Sequence, residues 1–147
     1  MRLTSPAFEE GGQLASRSAR HEDELSPPLQ FHDLPGNTAS LLLVMEDLDS
    51  PLGCFTHWLL FNIAPTVSAI EEGSVPHRCE VGLNGFGTLG YAGPCPPTGR
   101  HRYRFRLCAL VEQLDATEGA RKDQILRDMA GLVVAEAALT GSFDATR

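Results

Sequence analysis

Two short segments of the chain combine residue types that could do chemistry. The first runs from Asp47 to Pro51 and leads into His57-Trp58, and the second runs from Gly93 to Pro97 and leads into His101-Arg102-Tyr103. Each is a turn-rich polar segment that precedes an apolar strand. Carboxylates, imidazoles and a phenol all fall at the ends of core strands, where polar groups need a polar environment. We therefore predict a polar binding pocket at the rim of a sheet.

The pair Asp47 and Asp49 is the first candidate constellation. In an extended segment the two carboxylates point the same way, and like charges that close resist double ionisation unless a cation or a hydrogen-bond donor intervenes. Three functional roles are open: a pair of metal ligands, an acid and base pair, or acceptors that hold a loop and orient histidines. The structural alternative is an Asp-rich turn that ends at Pro51.

His57 and His101 form the second constellation, although a single histidine at a strand end is more often structural. If the aspartates fix their tautomers and both imidazoles face one cavity, the site suits a phosphate or a carboxylate. Arg100 and Arg102 could add positive charge nearby. Zinc is chemically plausible, but no HxH or HxxxH spacing supports it, so we expect an anion and no metal or other cofactor.

The segment from Gly93 to Pro97 forms the third constellation, with prolines at three of its positions that fix φ and remove backbone donors. We expect a rigid loop from Gly93 to Pro97 that forms a wall of the pocket. Cys95 could be a nucleophile beside His101, but a small buried thiol is favoured. Tyr91 could add a hydroxyl to the pocket or simply pack.

Three strands should position these residues. Residues 40–45 form a continuous apolar run, which predicts a central strand covered on both faces. Residues 57–63 follow, and period-two geometry places His57 on the face of Leu59, Phe61 and Ile63. Residues 82–93 are rich in glycine and predict no strand.

The third strand covers residues 101–110 and alternates clearly. His101 and Tyr103 lie on one face, whereas Arg102, Arg104 and Arg106 lie on the other, where they need water or acidic partners.

The C-terminal third changes period: apolar residues recur at three- and four-residue steps and predict an amphipathic helix from about residue 121 to 138, bent or split at Gly131. Gly141 should end it before a short tail.

Composition limits the classes of function. The 147 residues are 42% hydrophobic and 21% charged, as expected of one folded domain spanning residues 1–147. With 12 Lys and Arg against 19 Asp and Glu, the net charge of −7 argues against nucleic-acid binding. No run is apolar enough for membrane insertion or a signal peptide, and four cysteines without CxxC spacing indicate reduced thiols, so we expect a cytoplasmic protein.

At these residues the chain resembles the phosphatidylethanolamine-binding protein family, in its bacterial branch of Raf-kinase-inhibitor-like proteins. The family signature Asp-Pro-Asp-Ala-Pro with a His-Trp strand corresponds to residues 47–51 and 57–58. The signature Tyr-x-Gly-Pro-x-Pro-Pro, then His-Arg-Tyr-x-Phe, corresponds to residues 91–97 and 101–105. The resemblance covers effectively the full length. Departures are Leu48 and Ser50 for the family's Pro and Ala, and Phe143 where bacterial relatives usually have Tyr.

The resemblance implies a mainly β fold: a two-sheet antiparallel β-sandwich with Greek-key topology and one or more C-terminal helices. It also implies a small cavity for anionic groups such as phosphate, phosphoethanolamine or acetate. The residues carried over to that cavity are Asp47, Asp49, Pro51, His57, Tyr91, Gly93, Pro94, His101 and Tyr103. A homodimer is a further expectation.

Function is less constrained than fold, because one pocket can serve different roles. The leading hypothesis is a non-enzymatic protein that binds a small anion and modulates a kinase or protease partner. The alternative is a small hydrolase or lyase that uses a histidine and a carboxylate as general base and acid. A third hypothesis is an interaction module whose pocket is vestigial.

Overall fold

Strands of two antiparallel sheets dominate the computed structural model, which describes residues 1–145. The strands are β1 (Arg2–Thr4), β2 (Leu29–His32), β3 (Ser40–Asp47), β4 (Phe55–Ile63), β5 (Ala69–Ile70), β6 (Glu80–Val81), β7 (Arg100–Leu110) and β8 (Val133–Asp144). A short 3₁₀ helix covers Ser16–Ser18, and one α-helix, α1, covers Lys122–Asp128. The predicted mainly β, two-sheet class is confirmed.

The smaller sheet has the order β1-β2-β5 and the larger sheet the order β6-β4-β3-β7-β8. Every residue of β3 is buried, and β3 pairs with β4 on one side and β7 on the other. The prediction of a central strand from the apolar run at residues 40–45 is therefore confirmed. A strand buried on both faces needs apolar residues at successive positions, which is the pattern this run has.

Two apolar clusters lie on opposite faces of the larger sheet. The cluster between the sheets joins Phe31 of β2 to Met45, Trp58 and Phe105 of the larger sheet. The cluster on the outer face joins the larger sheet to α1, and its members include Leu42, Val44, Leu59, Phe61, Cys108, Ile125 and Met129. None of the helices described within residues 1–145 is long and apolar enough to span a membrane.

The arginine face of β7 has the acidic partners that the alternation predicts. Arg104 Nη2 lies 3.1 Å from Glu46 Oε1, and Arg106 Nη2 lies 2.7 Å from Glu136 Oε1. Glu46 is buried and also accepts a hydrogen bond from Lys122, which fastens the start of α1 to the sheet. Burial alone would raise the pKa of Glu46, but Lys122 and Arg104 together lower it.

The predicted helix over residues 121–138 is wrong for most of its length. The helix ends at Asp128, and Gly131 then adopts a φ of +81°, a left-handed conformation that favours glycine. Residues 133–144 form β8, which pairs with β7 along its whole length. The inward side chains of Ala135 and Ala137 pack against the core between the sheets. Alanine is a strong helix former, so the residue types at these positions do not indicate a strand. The strand forms because of its non-local pairing with β7.

The prediction that Gly141 ends a helix is also wrong, because Gly141 lies inside β8 opposite Tyr103. A Cβ at Gly141 would lie 2.7 Å from Leu14 Cδ2 and 3.0 Å from the Phe8 ring. The glycine therefore allows the N-terminal segment to pack closely on the strand. The last two residues of the predicted tail, 146 and 147, lie outside the described residues.

Candidate functional site

Asp47 and His101 form a buried pair at the rim of the larger sheet. Asp47 is the last residue of β3, and His101 is the second residue of the neighbouring β7. His101 Nδ1 lies 2.7 Å from Asp47 Oδ2, and both side chains are almost fully buried. Since the carboxylate only accepts hydrogen bonds, His101 carries its proton at Nδ1 and turns Nε2 away from Asp47.

The second oxygen of Asp47 stabilises the loop that follows β3. Asp47 Oδ1 accepts the backbone N–H of Asp49 at 2.8 Å, which closes a turn around Leu48. The backbone N–H of Leu48 donates to the carbonyl of Arg102 at 2.9 Å, a bond that the family's proline at this position could not make. Asp47 thus acts as an acceptor that orients a histidine and holds a loop.

A β-bulge places His57 at the same rim. Met45 pairs with Trp58 and Glu46 pairs with Thr56, so His57 is an extra residue in β4. The prediction that His57 shares the face of Leu59, Phe61 and Ile63 is wrong, because a bulge interrupts strict alternation. Leu59 and Phe61 contact the outer cluster, and Ile63 contacts the core between the sheets. The ring of His57 instead lies 5.3 Å, between centroids, from that of Tyr103.

The orientation of His57 is fixed from the second polar segment. Its Nδ1 lies 2.7 Å from the carbonyl oxygen of Ala92, so Nδ1–H donates and the other ring nitrogen, Nε2, takes no part in this bond. His57 is only 3% exposed. Burial lowers the pKa of His57 below 6.5, and the bond to Ala92 and the charge of Asp47 offset this only in part.

Tyr103 lies fully buried next to His57, on the face of β7 that the alternation predicts. Among the described residues, no protein group meets hydrogen-bond geometry with its hydroxyl. Burial raises the pKa of Tyr103, and the negative charge of nearby Asp47 raises it further. The hydroxyl is therefore protonated at neutral pH and keeps an unsatisfied hydrogen-bonding capacity below the rim.

A pocket of about 400 Å³ opens at this rim. From the predicted set it brings together Asp47, Pro51, His57 and His101. Sequence reasoning missed most of the other lining residues, which are Ser50, Leu52, Phe55, Phe86, Cys95 and Pro97. The pocket has polar groups from the strand ends and an apolar rim.

Phe86 enters the rim from the glycine-rich segment that follows β6. Asn84 holds this segment, because its Oδ1 accepts the backbone N–H of Phe86 at 3.0 Å and that of Thr88 at 3.3 Å. A Cβ at Gly85 would lie 2.5 Å from the ring of Phe55, so glycine permits the two aromatic rings to approach. An aromatic residue among closely spaced glycines was the signal available in the sequence.

Asp49 does not line this pocket. Its carboxylate accepts hydrogen bonds from the backbone and guanidinium of Arg102, at 2.8 to 3.0 Å. These bonds lower the pKa of Asp49 to about 2. Arg100 likewise pairs with Asp144. The expectation that Arg100 and Arg102 add positive charge to the pocket is therefore wrong, because both guanidinium groups pair with carboxylates outside it. The guanidinium of Arg20 lies against a residue of the rim, because its Cζ is 3.8 Å from the ring centroid of Phe86.

Tyr91, Gly93 and Pro94 support the pocket from behind. Tyr91 donates its hydroxyl to the carbonyl of Ser18 at 2.9 Å, and the Pro94 carbonyl accepts the backbone N–H of Arg20 at 3.0 Å. A Cβ at Gly93 would lie 2.4 Å from the Ser18 carbonyl oxygen. These residues thus fasten the segment that carries Arg20 against the loop.

Cys95 departs from the expectation of a buried thiol. It is exposed, and its Sγ lies 3.1 Å from His21 Nε2. All four cysteines are free, as predicted. Within residues 1–145, no three His, Cys, Asp or Glu side chains are grouped so that they could hold a metal ion.

Comparison with known protein families matches residues 4–144 to the phosphatidylethanolamine-binding protein family. The chain belongs to this family. The resemblance found in the two signatures is therefore confirmed.

Proteins from archaea and bacteria are similar to this chain over nearly its whole length. The UPF0098 protein of Methanothermobacter thermautotrophicus is 43% identical over 148 residues, covering 97% of this chain and 98% of the relative. A crystal structure of a family homolog from Chlamydia trachomatis is 38% identical, with a TM-score of 0.94 over 99% of this chain and 97% of that chain. YbcL of E. coli, described as a new member of the mammalian family, is 25% identical with a TM-score of 0.91, covering 99% and 98%.

Proposed function

We propose that the protein binds small anions of the phosphate type, including the phosphoethanolamine head group, in the pocket beside His57 and His101. One observation carries the proposal: both imidazoles are anchored at Nδ1, so that Nε2 of each is available in the same pocket. A protonated imidazole donates at Nε2, and charge-assisted donors suit phosphate or carboxylate oxygens. The guanidinium of Arg20 adds positive charge at the rim.

The buried pair of Asp47 and His101 favours the binding of an anion, because the carboxylate stabilises a positively charged His101. A protonated His101 faces the Asp47 carboxylate at Nδ1, so the positive charge has a partner before any ligand arrives. His57 has only a carbonyl at Nδ1, and its pKa is lowered by burial. We infer that His57 takes up a proton from solvent when an anion binds.

The rim supports a ligand that is more than a bare phosphate. Leu52 is 95% exposed and Phe86 is 45% exposed, and both line the opening with Phe55. Apolar side chains around a few polar groups are typical of small-molecule sites. The proposed ligand therefore joins an anionic group to an apolar or amphiphilic part.

A role for this pocket in modulating a protein partner, a kinase or a protease, is a finer proposal that rests on the family resemblance. The expected homodimer has the same basis, whereas the expected cytoplasmic location rests on the spacing of the cysteines. Size-exclusion chromatography with light scattering tests the dimer. Partner binding that is lost when phosphate fills the pocket would support modulation, whereas binding unaffected by phosphate would support a module with a vestigial pocket.

Thermal denaturation with inorganic phosphate or phosphoethanolamine tests anion binding. A ligand at a hundred times its Kd stabilises the folded state by about 2.7 kcal/mol. For a chain of this size that should raise the Tm by roughly 5–10 °C. His101→Ala should abolish the rise, because it removes one Nε2 donor and leaves Asp47 without its partner.

His77→Ala is the matched control, since His77 is exposed and is not among the residues that line the pocket. It should show the same rise as the wild type. Absence of any rise in the wild type at millimolar concentrations of both ligands would contradict the proposal.

Hydrolase or lyase activity is a second candidate, and the Asp47–His101 pair favours it. A histidine held at Nδ1 by a carboxylate can act as a general base through Nε2. A panel of esters and phosphoesters tests this candidate. Turnover that disappears in Asp47→Asn and in His57→Ala would support catalysis, and binding without turnover would support the first proposal.

A further inference from the structure

Cys95 is a thiol held at the edge of the pocket by a rigid loop. It lies between Pro94 and Pro96, whose rings fix φ, and the Pro94 carbonyl is bonded to the backbone of Arg20. Unlike the two proline side chains beside it, Cys95 is exposed and contributes to the pocket lining. Its Sγ therefore faces both solvent and any molecule in the pocket.

His21 gives this thiol a proton partner. Its Nε2 lies 3.1 Å from Cys95 Sγ, a distance at which the thiol donates to a neutral imidazole or the thiolate accepts from an imidazolium. The thiolate is the nucleophilic form of cysteine, and an imidazole at this distance can take the thiol proton as the sulfur attacks. His21 follows Arg20, which the loop itself fastens, so the pair is positioned by the same contacts that shape the pocket.

His57 and His101 both line this pocket, and within residues 1–145 the hydrogen bond found for each ring is made at Nδ1. His57 is 3% exposed and His101 is 8% exposed, and each uses Nδ1 for its protein hydrogen bond. An anionic group bound at these two rings would hold the rest of a small molecule in the lining to which Cys95 belongs. Binding in this position raises the effective concentration of a reactive carbon at the thiol.

We propose that Cys95 is a covalent modification site for small anionic electrophiles, with His57 and His101 holding the anionic group and His21 accepting the thiol proton. This inference rests on the proposed anion binding. The substrate class comprises carboxylates with a leaving group, or an activated alkene, next to the carboxylate. With a halide, the S–C bond forms as the C–halogen bond breaks, halide leaves, and His21 takes the proton. With an alkene, the S–C bond forms, the π electrons move to the adjacent carbon, and that carbon receives the proton from His21.

Alkylation with iodoacetate and with iodoacetamide tests the inference, because the two reagents differ mainly in charge. Cys54 is an internal reference, since it is also exposed but is not among the residues that line the pocket. Peptide mass spectrometry would follow both thiols during brief exposure. The rate ratio of iodoacetate to iodoacetamide should be about tenfold higher at Cys95 than at Cys54, the scale of local electrostatic enrichment.

Two further measurements separate the parts of the inference. Inorganic phosphate should suppress the iodoacetate reaction at Cys95 and leave that at Cys54 unchanged. His21→Gln, at an exposed position, should slow both reagents at Cys95 while the phosphate-induced rise in Tm stays as in the wild type.

Equal reagent ratios at Cys95 and Cys54, in a protein whose Tm still rises with phosphate, would overturn the thiol inference and leave anion binding in place. No rise in Tm with phosphate would overturn both, because the anionic group would then have no site. A rate at Cys95 that His21→Gln leaves unchanged would overturn the role of His21.

Discussion

Asp47 and Asp49 are two residues apart, yet their carboxylates have different partners. Asp47 accepts from the imidazole of His101 and from the backbone of Asp49. Asp49 accepts from Arg102 outside the pocket. At the scale of single residues, the first aspartate orients a histidine at the rim and the second fastens the loop to β7.

Asp47→Asn and Asp49→Asn are a matched pair that tests this division. Asp47→Asn removes the charge that supports a protonated His101, and a hydrogen bond to a charged group contributes about 1.5–3 kcal/mol. We expect roughly tenfold weaker phosphate binding or more, measured by calorimetry near pH 6.5. Asp49→Asn should leave the dissociation constant within about twofold, since an exposed ion pair contributes little. Equal losses in both variants would contradict the division.

The lowered pKa of His57 predicts a pH dependence with a defined sign. Without a ligand, the ring is neutral around neutral pH, and a bound anion favours the imidazolium. Binding should therefore take up protons, and affinity should increase as the pH falls from about 7.5 to 5.5. Sulfate is the suitable ligand, because its charge is constant over this range. Calorimetry in two buffers with different ionisation enthalpies measures the proton uptake directly.

The same lowered pKa affects the unliganded protein. The unfolded state binds a proton at His57 more readily than the folded state, so this contribution to stability is present above about pH 6.5 and is lost as the pH falls through the folded-state pKa. Sulfate should oppose that loss. Proton release on binding, or affinity independent of pH, would show that the imidazoles do not hold the anion.

Residue types and spacing were enough to predict that Asp47, His57 and His101 lie together, but not the direction of each side chain. The sequence indicated that His57, His101 and Asp47 meet at one rim, because each lies at a strand end beside a polar segment. It could not show that Arg102 donates to the carboxylate of Asp49, since that contact depends on how the loop after β3 folds back. Nor could it show that His21 reaches Cys95, because the two are far apart in the chain.

At the scale of elements, strands with a strong pattern were predictable and irregular ones were not. β3 and β7 follow from an apolar run and from clear alternation. The bulge in β4 leaves no mark in the residue types at positions 55–58, although it turns His57 toward Tyr103. β8 was predicted as helix, because alanine fits both structures and pairing with β7 is a long-range effect.

The contact between the second polar loop and the segment from Ser18 to Glu24 predicts the effect of Gly93→Ala. The new Cβ would lie 2.4 Å from the Ser18 carbonyl oxygen and 2.7 Å from the backbone nitrogen of Arg20. Backbone atoms cannot turn aside as a side chain can, so we expect a loss of about 1–3 kcal/mol in the free energy of unfolding. Urea denaturation measures this loss, and phosphate binding should weaken as the loop moves.

Gly36→Ala is the control for this substitution. Gly36 has a φ outside the left-handed region, and a Cβ there meets no atom within 4 Å. Its effect should stay within about 0.5 kcal/mol, as for an ordinary surface position. If Gly93→Ala were as mild, the loop and the N-terminal segment would not be held together by this close approach.

At the scale of the whole molecule, the net negative charge opposes the binding of anions, whereas the groups proposed to hold one anion lie together in the pocket. The net charge of −7 repels polyanions over most of the surface. In the proposed function, His57 and His101 hold one anion in a pocket of about 400 Å³, with Arg20 over the ring of Phe86 at its rim. A small anion would contact only this pocket, whereas an extended polyanion would also contact the rest of a protein whose net charge is −7.

This combination predicts that the protein binds phosphate but not double-stranded DNA. Anisotropy of a labelled duplex should stay unchanged at micromolar protein, even at about 0.05 M salt, where release of counterions favours binding most. The control is a phosphate titration in the same buffer, which should still raise the Tm. DNA binding that weakens steeply with salt would require a continuous basic surface, and an excess of 19 acidic over 12 basic residues makes such a surface unfavourable.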